Sequence, residues 1–467
     1  MPKSDSLLWP PCTHLLAPAF RDWLISRKDN NKMVVKEIPF SDLSGWNFDR
    51  TSGNLIHESG RFFTIEGLDV QFSAINTLHW QQPIIKQPEI GILGFLTRID
   101  NQVRKFLVQA KMEPGNLSTI QISPTLQATH SNYSAVHKGK VPPYLEYFLD
   151  SKKQRTVLCD RLQSEQGARF FRKRNRNMIV EIDHDPELFD DFYWLSYSQL
   201  TRLFEIDNFI NMDSRSVLSN FFELNPRSPI EEPGSPNLSL SNFKQMLKES
   251  SLPNSHSQNT IEEVQSIIDN LRTHWTLSAT LIPLRNILAW QKTDNEIHHI
   301  DQSHFSIVAV DVKTNSREVS NWTQPILKDP HLGLIAFICQ VLNDVLHFLI
   351  QVKVECGNRS IVEIAPTVAC SNYLQKFNSP NRIDFLDLVI NSPKEQLRFE
   401  ETQSDEGGRF FQVQNLHKVI EIPEDFQLEL PTNFVWVTMN QLMRFQRNSA
   451  LNIDARSMLA RLVASTI

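Results

Sequence analysis

The residues best suited to chemistry stand at positions 164–171, which read Ser-Glu-Gln-Gly-Ala-Arg-Phe-Phe. A glycine here lets the backbone approach a ligand closely, because glycine has no side chain in the way. Arg169 can offer a planar fork of donors to a phosphate, and Phe170 or Phe171 could stack on a base or a sugar. The alternative is a tight strand entry, with Arg169 in an ion pair and both rings in the core.

A second polar segment, residues 129–133, reads Thr-His-Ser-Asn-Tyr and follows a predicted strand. Hydroxyl, imidazole and amide groups at the end of a sheet favour a substrate cradle. The alternative is a polar loop that bonds to its own backbone, as Ser and Asn readily do. His130 and the nearby His137 carry the side chain best placed to move protons near neutrality.

Both segments recur about 240 residues later in the same order. The first returns as residues 404–411, Ser-Asp-Glu-Gly-Gly-Arg-Phe-Phe, and the Ser-Asn-Tyr triplet returns as residues 371–373. Matches of this kind spread over nearly a whole half of the chain, which predicts a duplicated domain rather than a short-period solenoid.

The two copies differ at residues that could handle protons and phosphates. His130 aligns with Cys370, and the basic run at residues 172–176 aligns with the neutral run at residues 412–416. Clustered Arg and Lys suit a diphosphate, so the first half is the better candidate for catalysis. The alternative for the basic run is an exposed hairpin tip.

Two further sets of polar and aromatic residues recur in both halves. Gln109, Lys111 and Glu113 alternate along a strand and so project from one face. That face is either solvated, or an internal ion pair, or a pocket wall. The tryptophan pairs are core residues or ligand-stacking residues: Trp46 with Trp290, and Trp80 with Trp322.

The composition is that of an ordinary soluble globular protein, with 467 residues and a net charge of −6. This charge gives no general attraction to nucleic acid or to an anionic membrane, and no apolar run predicts a membrane span or a signal peptide. Five cysteines without a CxxC spacing predict neither disulfides nor a zinc site, and favour the cytoplasm.

Signatures of several enzyme classes are missing from the sequence. We find no GxGxxG fingerprint, no Walker A loop, no HExxH and no GxSxG elbow. His298 and His299 with Asp301 give only a weak metal spacing, in a segment predicted to be a loop. We therefore predict no metal site.

The predicted fold class is α+β, with each half a mixed sheet flanked by helices. We assign a first module to residues 1–222, a Pro- and Ser-rich linker to 223–259, and a second module to 260–467. Each module opens with a helix, at about 15–28 and 260–274, the latter with a capping box at Thr260 and Glu263. Each closes with another, at 198–205 and 440–446.

Two hairpins are predicted in each half. In the first half, a strand at 106–112 turns at Pro114-Gly115-Asn116 and returns at 119–122. A second hairpin goes out at 169–171, turns at 175–177 and comes back at 178–182, with its counterpart turning at Asn415.

Taken in order, these segments resemble the NDP-hexose 2,3-dehydratase family over residues 15–460. The resemblance depends on the strings at 110–116, 129–139, 144–148, 164–167, 173–177 and 404–410. It implies a tandem pair of Nudix-like modules and a homodimer. The acidic Nudix hydrolase box is missing from both halves, which argues against magnesium-dependent pyrophosphate hydrolysis.

The resemblance also implies the chemistry. The substrate would be a nucleotide-linked (TDP or GDP) 4-keto-6-deoxyhexose, and a base would remove the C3 proton that its ketone acidifies. Donors would stabilise the enolate, and an acid would help the C2 hydroxyl leave as water. The 3,4-diketo-2,6-dideoxy product is labile, so a 3-ketoreductase is an expected pathway partner. No cofactor is required.

Roles for individual residues follow from this resemblance. We expect His130 or His137 to carry protons, with Glu165 as a second acid/base or orienting group. The expected substrate-binding residues of the first half are Thr129, Ser131, Asn132, Tyr133, Arg169, Lys173, Arg174 and either Trp46 or Trp80. Those of an equivalent second pocket, which lacks the histidines and so binds nucleotide without turnover, are Trp290, Ser371, Asn372, Tyr373, Ser404, Glu406, Gly407 and Arg409.

Two other functions stay open at this point. One is a Nudix-type hydrolase of nucleotide sugars, which needs an acidic metal cluster. The other is a non-catalytic protein that binds sugar nucleotides.

Overall fold

The computed structural model describes residues 15–74, 76–117, 120–129, 141–150, 154–221, 238–253, 256–317, 319–377 and 383–466. Within these ranges the chain is a mixed α/β protein with several sheets. The opening helix of the second half spans Ile261–His274, and its capping box at Thr260 and Glu263 is confirmed. The opening helix of the first half spans Pro18–Asn30, slightly later than predicted.

The elements of the first half begin with a helix and then alternate between short and long strands. They are α1 Pro18–Asn30, β1 Met33–Ile38, β2 Trp46–Phe48, β3 Leu55–His57, β4 Thr64–Ser73, β5 Thr77–Lys86, β6 Gly91–Asp100, β7 Val103–Lys111, β8 Gln121–Ser123, β9 Leu126–Ala128, α2 Leu145–Leu149, β10 Thr156–Ser164, β11 Arg174–Glu181, β12 Phe192–Ser196, α3 Tyr197–Arg202 and α4 Met212–Leu218.

The elements of the second half follow nearly the same order. They are α5 Leu238–Ser250, α6 Ile261–His274, β13 Thr276–Ile282, β14 Trp290–Lys292, β15 Glu296–His299, β16 Ser306–Thr314, β17 Asn321–Lys328, β18 Gly333–Leu342, β19 Val345–Lys353, β20 Glu363–Ala365, β21 Val368–Cys370, α7 Tyr373–Phe377, α8 Leu386–Ile390, β22 Leu397–Ser404, β23 Phe410–Phe411, β24 Gln414–Glu421, β25 Phe434–Thr438, α9 Met439–Arg447 and α10 Ile453–Ser465.

Each half contains one large mixed sheet with the same strand order. The first runs β10-β11-β6-β7-β12, and the second runs β22-β24-β18-β19-β25. In both sheets one central pair is parallel, β6 with β11 and β18 with β24, and the remaining pairs are antiparallel. The predicted hairpin strand at 106–112 is therefore confirmed as β7, and β19 is its counterpart in the second half.

Two smaller sheets exchange strands between the halves. Strand β1 of the first half pairs with β16 of the second, so that Met33 lies opposite Thr314. Strand β13 of the second half pairs with β4 of the first, so that Thr276 lies opposite Ser73. Each half therefore completes a sheet of the other, and the two sets of residues fold as interlocked parts.

The predicted second hairpin is wrong in both halves. Asn175 lies inside β11, and Asn415 lies inside β24. The turn is instead the motif itself, because β10 ends at Ser164 and pairs antiparallel with β11 up to Arg174. Asn175 suits a strand here because its side-chain Oδ1 accepts a hydrogen bond of 2.9 Å from the backbone N–H of Gly91.

The segment assigned to a linker contains the helix Leu238–Ser250. Phe243 and Leu247 on this helix are buried in the core of the second half, together with Phe348 and Met458. The Pro and Ser residues before this helix led to the linker assignment, although the helix has a short apolar face. Helices Met212–Leu218 and Ile453–Ser465, which close the two halves, were also missed.

Glycines allow the motif loop of each half to dock on a turn of the other. The backbone N–H of Gly115 donates to the carbonyl of Gly407 at 2.7 Å, and that of Gly357 donates to the carbonyl of Gly167 at 2.6 Å. A Cβ on Gly115 would clash with the carbonyl oxygen of Phe410. The motif glycine therefore permits a close approach to the backbone of the other half of the protein.

We predict that Gly115→Ala destabilises the protein by about 3 kcal/mol, since an overpacked core contact must force two backbones apart. Urea unfolding measures the change. Gly60→Ala is the matched control: a Cβ there meets nothing within 4 Å, although the φ of +63° adds some strain. An equal loss in the two variants would contradict the docking role.

Candidate active site

A cavity of about 430 Å³ lies where the two halves meet. Its walls come from both halves. The first half contributes, among others, Trp46, Glu113, Thr129, Glu165 and Lys173, and the second half contributes Arg317, Trp322, Glu406 and Arg409. Neither half contains a complete cavity without the other.

Four carboxyl groups line this cavity: Glu113, Glu165, Asp213 and Glu406. Three of them are almost fully buried, with exposed fractions of 6% for Glu113, 5% for Glu165 and 3% for Asp213. Since burial disfavours a charged carboxylate, such a cluster binds protons more readily than exposed acids do.

Burial raises the pKa of Glu165, and the nearby cations Arg456 and Lys173 partly oppose it. Burial also raises the pKa of Glu406 to about 7, and the negative charge of Glu113 adds to this. Asp213 has a pKa well above its usual range, for the same reason of burial and then repulsion by its acidic neighbours. Acids with pKa values near neutrality can donate or accept protons at physiological pH.

Glu165 is held in place by its neighbours on the same sheet. Asn175 donates from Nδ2 to Glu165 Oε1 at 2.7 Å. The backbone N–H of Glu165 bonds to the carbonyl of Lys173 at 3.1 Å, which closes the motif turn. The carboxyl group is therefore oriented by a strand and not by a loose loop.

The cavity also contains cations from both halves: Lys111, Lys173, Arg317 and Arg409. Burial lowers the pKa of Lys173 to about 8, and its ammonium donates to the carbonyl of Glu89. The Arg409 guanidinium lies 4.2 Å from the centre of the Phe63 ring. Its Nε is buried without a hydrogen-bond partner among the described residues, so it can bind a ligand.

Aromatic side chains form the wall that contains few charges. Trp46 donates from Nε1 to the carbonyl of Thr323 at 3.1 Å, which joins the first half to strand β17 of the second. Trp322 donates to Gln324 Oε1 at 2.8 Å. These hydrogen bonds fix the orientation of both rings in the cavity wall.

A second cavity, of about 490 Å³, lies at the related junction. Its lining includes Trp80 and Trp290, the cations Arg169 and Lys376, and three histidines, His79, His299 and His304. Among the residues that the structure describes, no carboxyl group lines it. Arg169 lies 3.8 Å from Asp329 and above the ring of Phe305.

The expected site residues divide between the two cavities. Those that line the first are Trp46, Thr129, Glu165, Lys173, Glu406 and Arg409. Those that line the second are Trp80, Arg169, Trp290 and Ser371. His130, Ser131, Asn132, Tyr133 and His137 lie outside the described residues, and their roles stay predictions.

Five other candidates lie in the described ranges but line neither cavity. Ser404 accepts from Gln121 Nε2 at 2.6 Å, and Gly407 packs against Asn116. Asn372 donates to Gln375 Oε1 at 2.7 Å, and Tyr373 packs against an apolar cluster of the second half. Arg174 is half-buried on β11. The contacts of Ser404 and Gly407 hold the motif loop in place.

The expected grouping of the arginines is wrong. Arg409 and Glu406 were assigned to the second pocket, yet both line the first cavity, while Arg169 lines the second. The reason is the reciprocal docking described above, in which each motif loop crosses to the other half. The second pocket also contains histidines, His79, His299 and His304, none of which is a counterpart of His130 or His137.

Several cavity residues were missed or given another role. Lys111 and Glu113 form the buried ion pair that was one alternative, at 3.5 Å, and they also form part of the cavity wall, which was another. Asp213 recurs as Asp454 in the repeated string at 211–216, and this recurrence was the available signal. His57 gave no signal, because its position in the cavity depends on contacts between distant strands.

Two features of other protein classes can be tested on the described residues. There, no group of three or more His, Cys, Asp or Glu side chains is arranged to hold a metal ion. His298 and His299 belong to strand β15 and not to a loop. None of the described helices is long and apolar enough to cross a bilayer.

The raised pKa of Glu406 predicts a pH-dependent stability. Between pH 4.5 and about 7 the folded protein holds a proton that the unfolded chain releases, so this group's contribution to stability falls as pH rises. Glu406→Gln removes that effect. The difference in free energy of unfolding between Glu406→Gln and wild type should therefore shift by about 2 kcal/mol in favour of the variant from pH 5 to pH 8. Denaturant titrations measure this, with the exposed Glu58→Gln as control, and a difference that stays flat with pH contradicts the assignment.

Comparisons with known proteins show the family of the chain. A sequence profile of the family described as NDP-hexose 2,3-dehydratase matches residues 17–221 and 261–462. A dTDP-4-dehydro-6-deoxy-alpha-D-glucopyranose 2,3-dehydratase from Saccharopolyspora spinosa is 42% identical over 449 residues, which cover 95% of this chain and 90% of that protein.

Proteins of the same name from two other organisms are also similar. The one from Amycolatopsis orientalis is 40% identical, covering 94% of this chain and 88% of its own length. The one from Streptomyces violaceoruber is 36% identical, covering 94% and 96%. The chain belongs to the NDP-hexose 2,3-dehydratase family of enzymes.

Proposed function

We propose that this chain removes the C2 hydroxyl of an NDP-4-keto-6-deoxyhexose and forms a 3,4-diketo-2,6-dideoxy sugar for deoxysugar biosynthesis. The observation that carries the proposal is the first cavity, where buried carboxyls with raised pKa values lie beside buried cations. The names of the similar proteins supply the substrate class, with dTDP as its nucleotide.

The reaction needs three kinds of group. A base takes the C3 proton, which the C4 ketone acidifies. Donors stabilise the negative charge that develops on O4. An acid then gives a proton to the C2 hydroxyl, which leaves as water while the C2=C3 double bond forms and the C4 ketone returns. The enol at C3 finally tautomerises to the diketone.

Residues of the first cavity can meet these needs. Glu165, oriented by Asn175, serves as a second acid/base or as an orienting group. Lys173 and Arg409 stabilise the anionic oxygens of the enolate and the diphosphate, since Lys173 and the Nε of Arg409 are buried where electrostatic interactions are strong. Trp46 and Trp322 stack on the nucleotide base or the sugar.

The remaining roles follow the resemblance. His130 and His137 carry protons, and Thr129, Ser131, Asn132 and Tyr133 hold the sugar. The second cavity binds the anionic part of a nucleotide without turnover, as its cations and its lack of a lining carboxyl among the described residues favour. Arg174, Asn372, Tyr373, Ser404 and Gly407 then act by supporting these groups.

We also propose the finer organisation from the resemblance. The halves are duplicated Nudix-like modules, at 1–222 and 260–467, joined by residues 223–259. The enzyme is a cytoplasmic homodimer, and a 3-ketoreductase takes up its labile product. It needs no cofactor.

The proposed activity can be measured directly. Purified protein incubated with dTDP-4-keto-6-deoxyglucose should release water and form the diketo product, trapped by reduction or followed as its breakdown product. The rate should not depend on magnesium. GDP- and UDP-linked substrates test the nucleotide. Release of nucleoside monophosphate instead of water would indicate a hydrolase, and tight binding without either product would indicate a non-catalytic protein.

Two equivalent arginines provide a matched test of which cavity is catalytic. Arg409→Met should lower kcat/KM at least about a hundredfold, because it removes a buried donor from the first cavity. Arg169→Met makes the same change in the second cavity and should lower it less than about tenfold. Steady-state dehydration assays compare them, and the reverse order of effects would place catalysis in the second cavity.

A further inference from the structure

The carboxyl of Glu113, which lines the first cavity, has a buried oxygen that its contacts leave available. Its side chain has an exposed fraction of 6%. Oε1 accepts a hydrogen bond of 2.9 Å from Gln127 Nε2. Oε2 is buried and has no hydrogen-bond partner in the part of the chain that the structure describes. A buried acceptor without a partner is costly, so it calls for a ligand.

The equivalent residue of the second half, Glu355, is used differently. Its Oε2 accepts from the backbone N–H of Gly167 at 3.0 Å and lies 3.5 Å from Asn358 Nδ2. Glu355 therefore fixes the motif loop that docks against it, and it does not line the second cavity. The same position serves the fold in one half and faces a cavity in the other.

Charged neighbours on two sides lie close to Glu113. Lys111 Nζ lies 3.5 Å from its Oε1, and Arg317 Nη1 lies 3.9 Å from the same oxygen. Both ion-pair distances are to the oxygen that also accepts from Gln127. A carboxylate with one oxygen bound and one available has the form that a base requires.

A second carboxyl lies next to it from the other half. A Cβ on Gly407 would lie 3.0 Å from Glu113 Cβ, so the residue after Glu406 packs directly against Glu113. Glu406 Oε1 accepts from the backbone N–H of Gly408 at 2.7 Å. The two carboxyls therefore reach the same cavity from opposite halves of the chain.

We propose that Glu113 is the base that removes the C3 proton and that Glu406 is the acid that protonates the departing C2 hydroxyl. This assignment rests on the proposed function and makes its roles specific. The C3–H bond breaks, its proton goes to Glu113 Oε2, and its electrons form the enolate. The enolate then expels the C2 hydroxyl, which takes a proton from Glu406 and leaves as water.

The raised pKa of Glu406 agrees with its proposed role as the acid. Glu406, with a pKa near 7 to which the charge of Glu113 contributes, still carries a proton in a large fraction of molecules at neutral pH. Two interacting carboxyls share protons unequally, which provides one acid and one base in a single site.

Hydrogen exchange separates the two steps. In D₂O, NMR follows deuterium at C3 of the 4-keto substrate, and a second assay follows water loss. In Glu113→Gln, the rates of C3 exchange and of water loss should both fall by about a hundredfold or more. In Glu406→Gln, the rate of water loss should fall to a similar degree. The rate of C3 exchange should stay within about threefold of wild type, since only the later proton transfer is removed.

Glu355→Gln is the matched control. Its amide oxygen can still accept from Gly167, so both C3 exchange and water loss should stay within about threefold of wild type. Substrate affinity by calorimetry and far-UV circular dichroism check that each variant folds and binds.

Glu113→Asp keeps the charge and withdraws it by one methylene. Should Glu113→Gln fail to fold, this variant still decides, because slower C3 abstraction should enlarge the isotope effect with 3-deuterated substrate. Normal C3 exchange in a folded Glu113→Gln, or an unchanged rate and isotope effect in Glu113→Asp, would overturn the assignment. A wild-type protein with neither exchange nor water loss would instead overturn the proposed function.

Discussion

Two buried guanidinium groups join the halves and hold the parts of the site together. Arg215 donates to Ser457 Oγ and to the carbonyl of Ser404, both at 2.6 Å. Arg456 donates to Ser216 Oγ at 3.0 Å and also to the carbonyl of Ser164. Each arginine thus holds the motif loop of the opposite half. A buried charge is tolerated only when its donors are satisfied, so this crossed pair fixes the relative position of the halves.

The same pair sets the electrostatics behind the cavities. Burial lowers the pKa of Arg215 to about 10, which leaves it charged at neutral pH. Arg456 counters part of the burial effect on Glu165. The buried carboxyls therefore lie near cations as well as apolar side chains. Some of them can ionise while others keep a proton. Such a graded set of acids suits a reaction that removes one proton and donates another.

Local patterns predicted the local structure well and the assembly poorly. The helix Ile261–His274 has a capping box and an apolar stripe, so its sequence was sufficient. Strand β7 also exists as predicted, but its burial does not alternate, because residues 106–108 are all buried. Local patterns do not show which turn a motif loop contacts, because both halves contain a similar turn. Ser164–Phe171 could dock on the Gly115 turn or on the Gly357 turn, and only the strand exchange makes it the latter.

The crossing changes what the differences between the halves mean. At equivalent positions the chain has Gln166 and Glu406, and the second-half loop brings its glutamate into the first cavity. The first-half loop brings Arg169 but no carboxyl into the second cavity. A half that looks poorer in catalytic groups can therefore supply one that the other needs. The second half is part of the candidate active site because its loop, its Arg409 and its Trp322 complete a cavity that the first half alone leaves open.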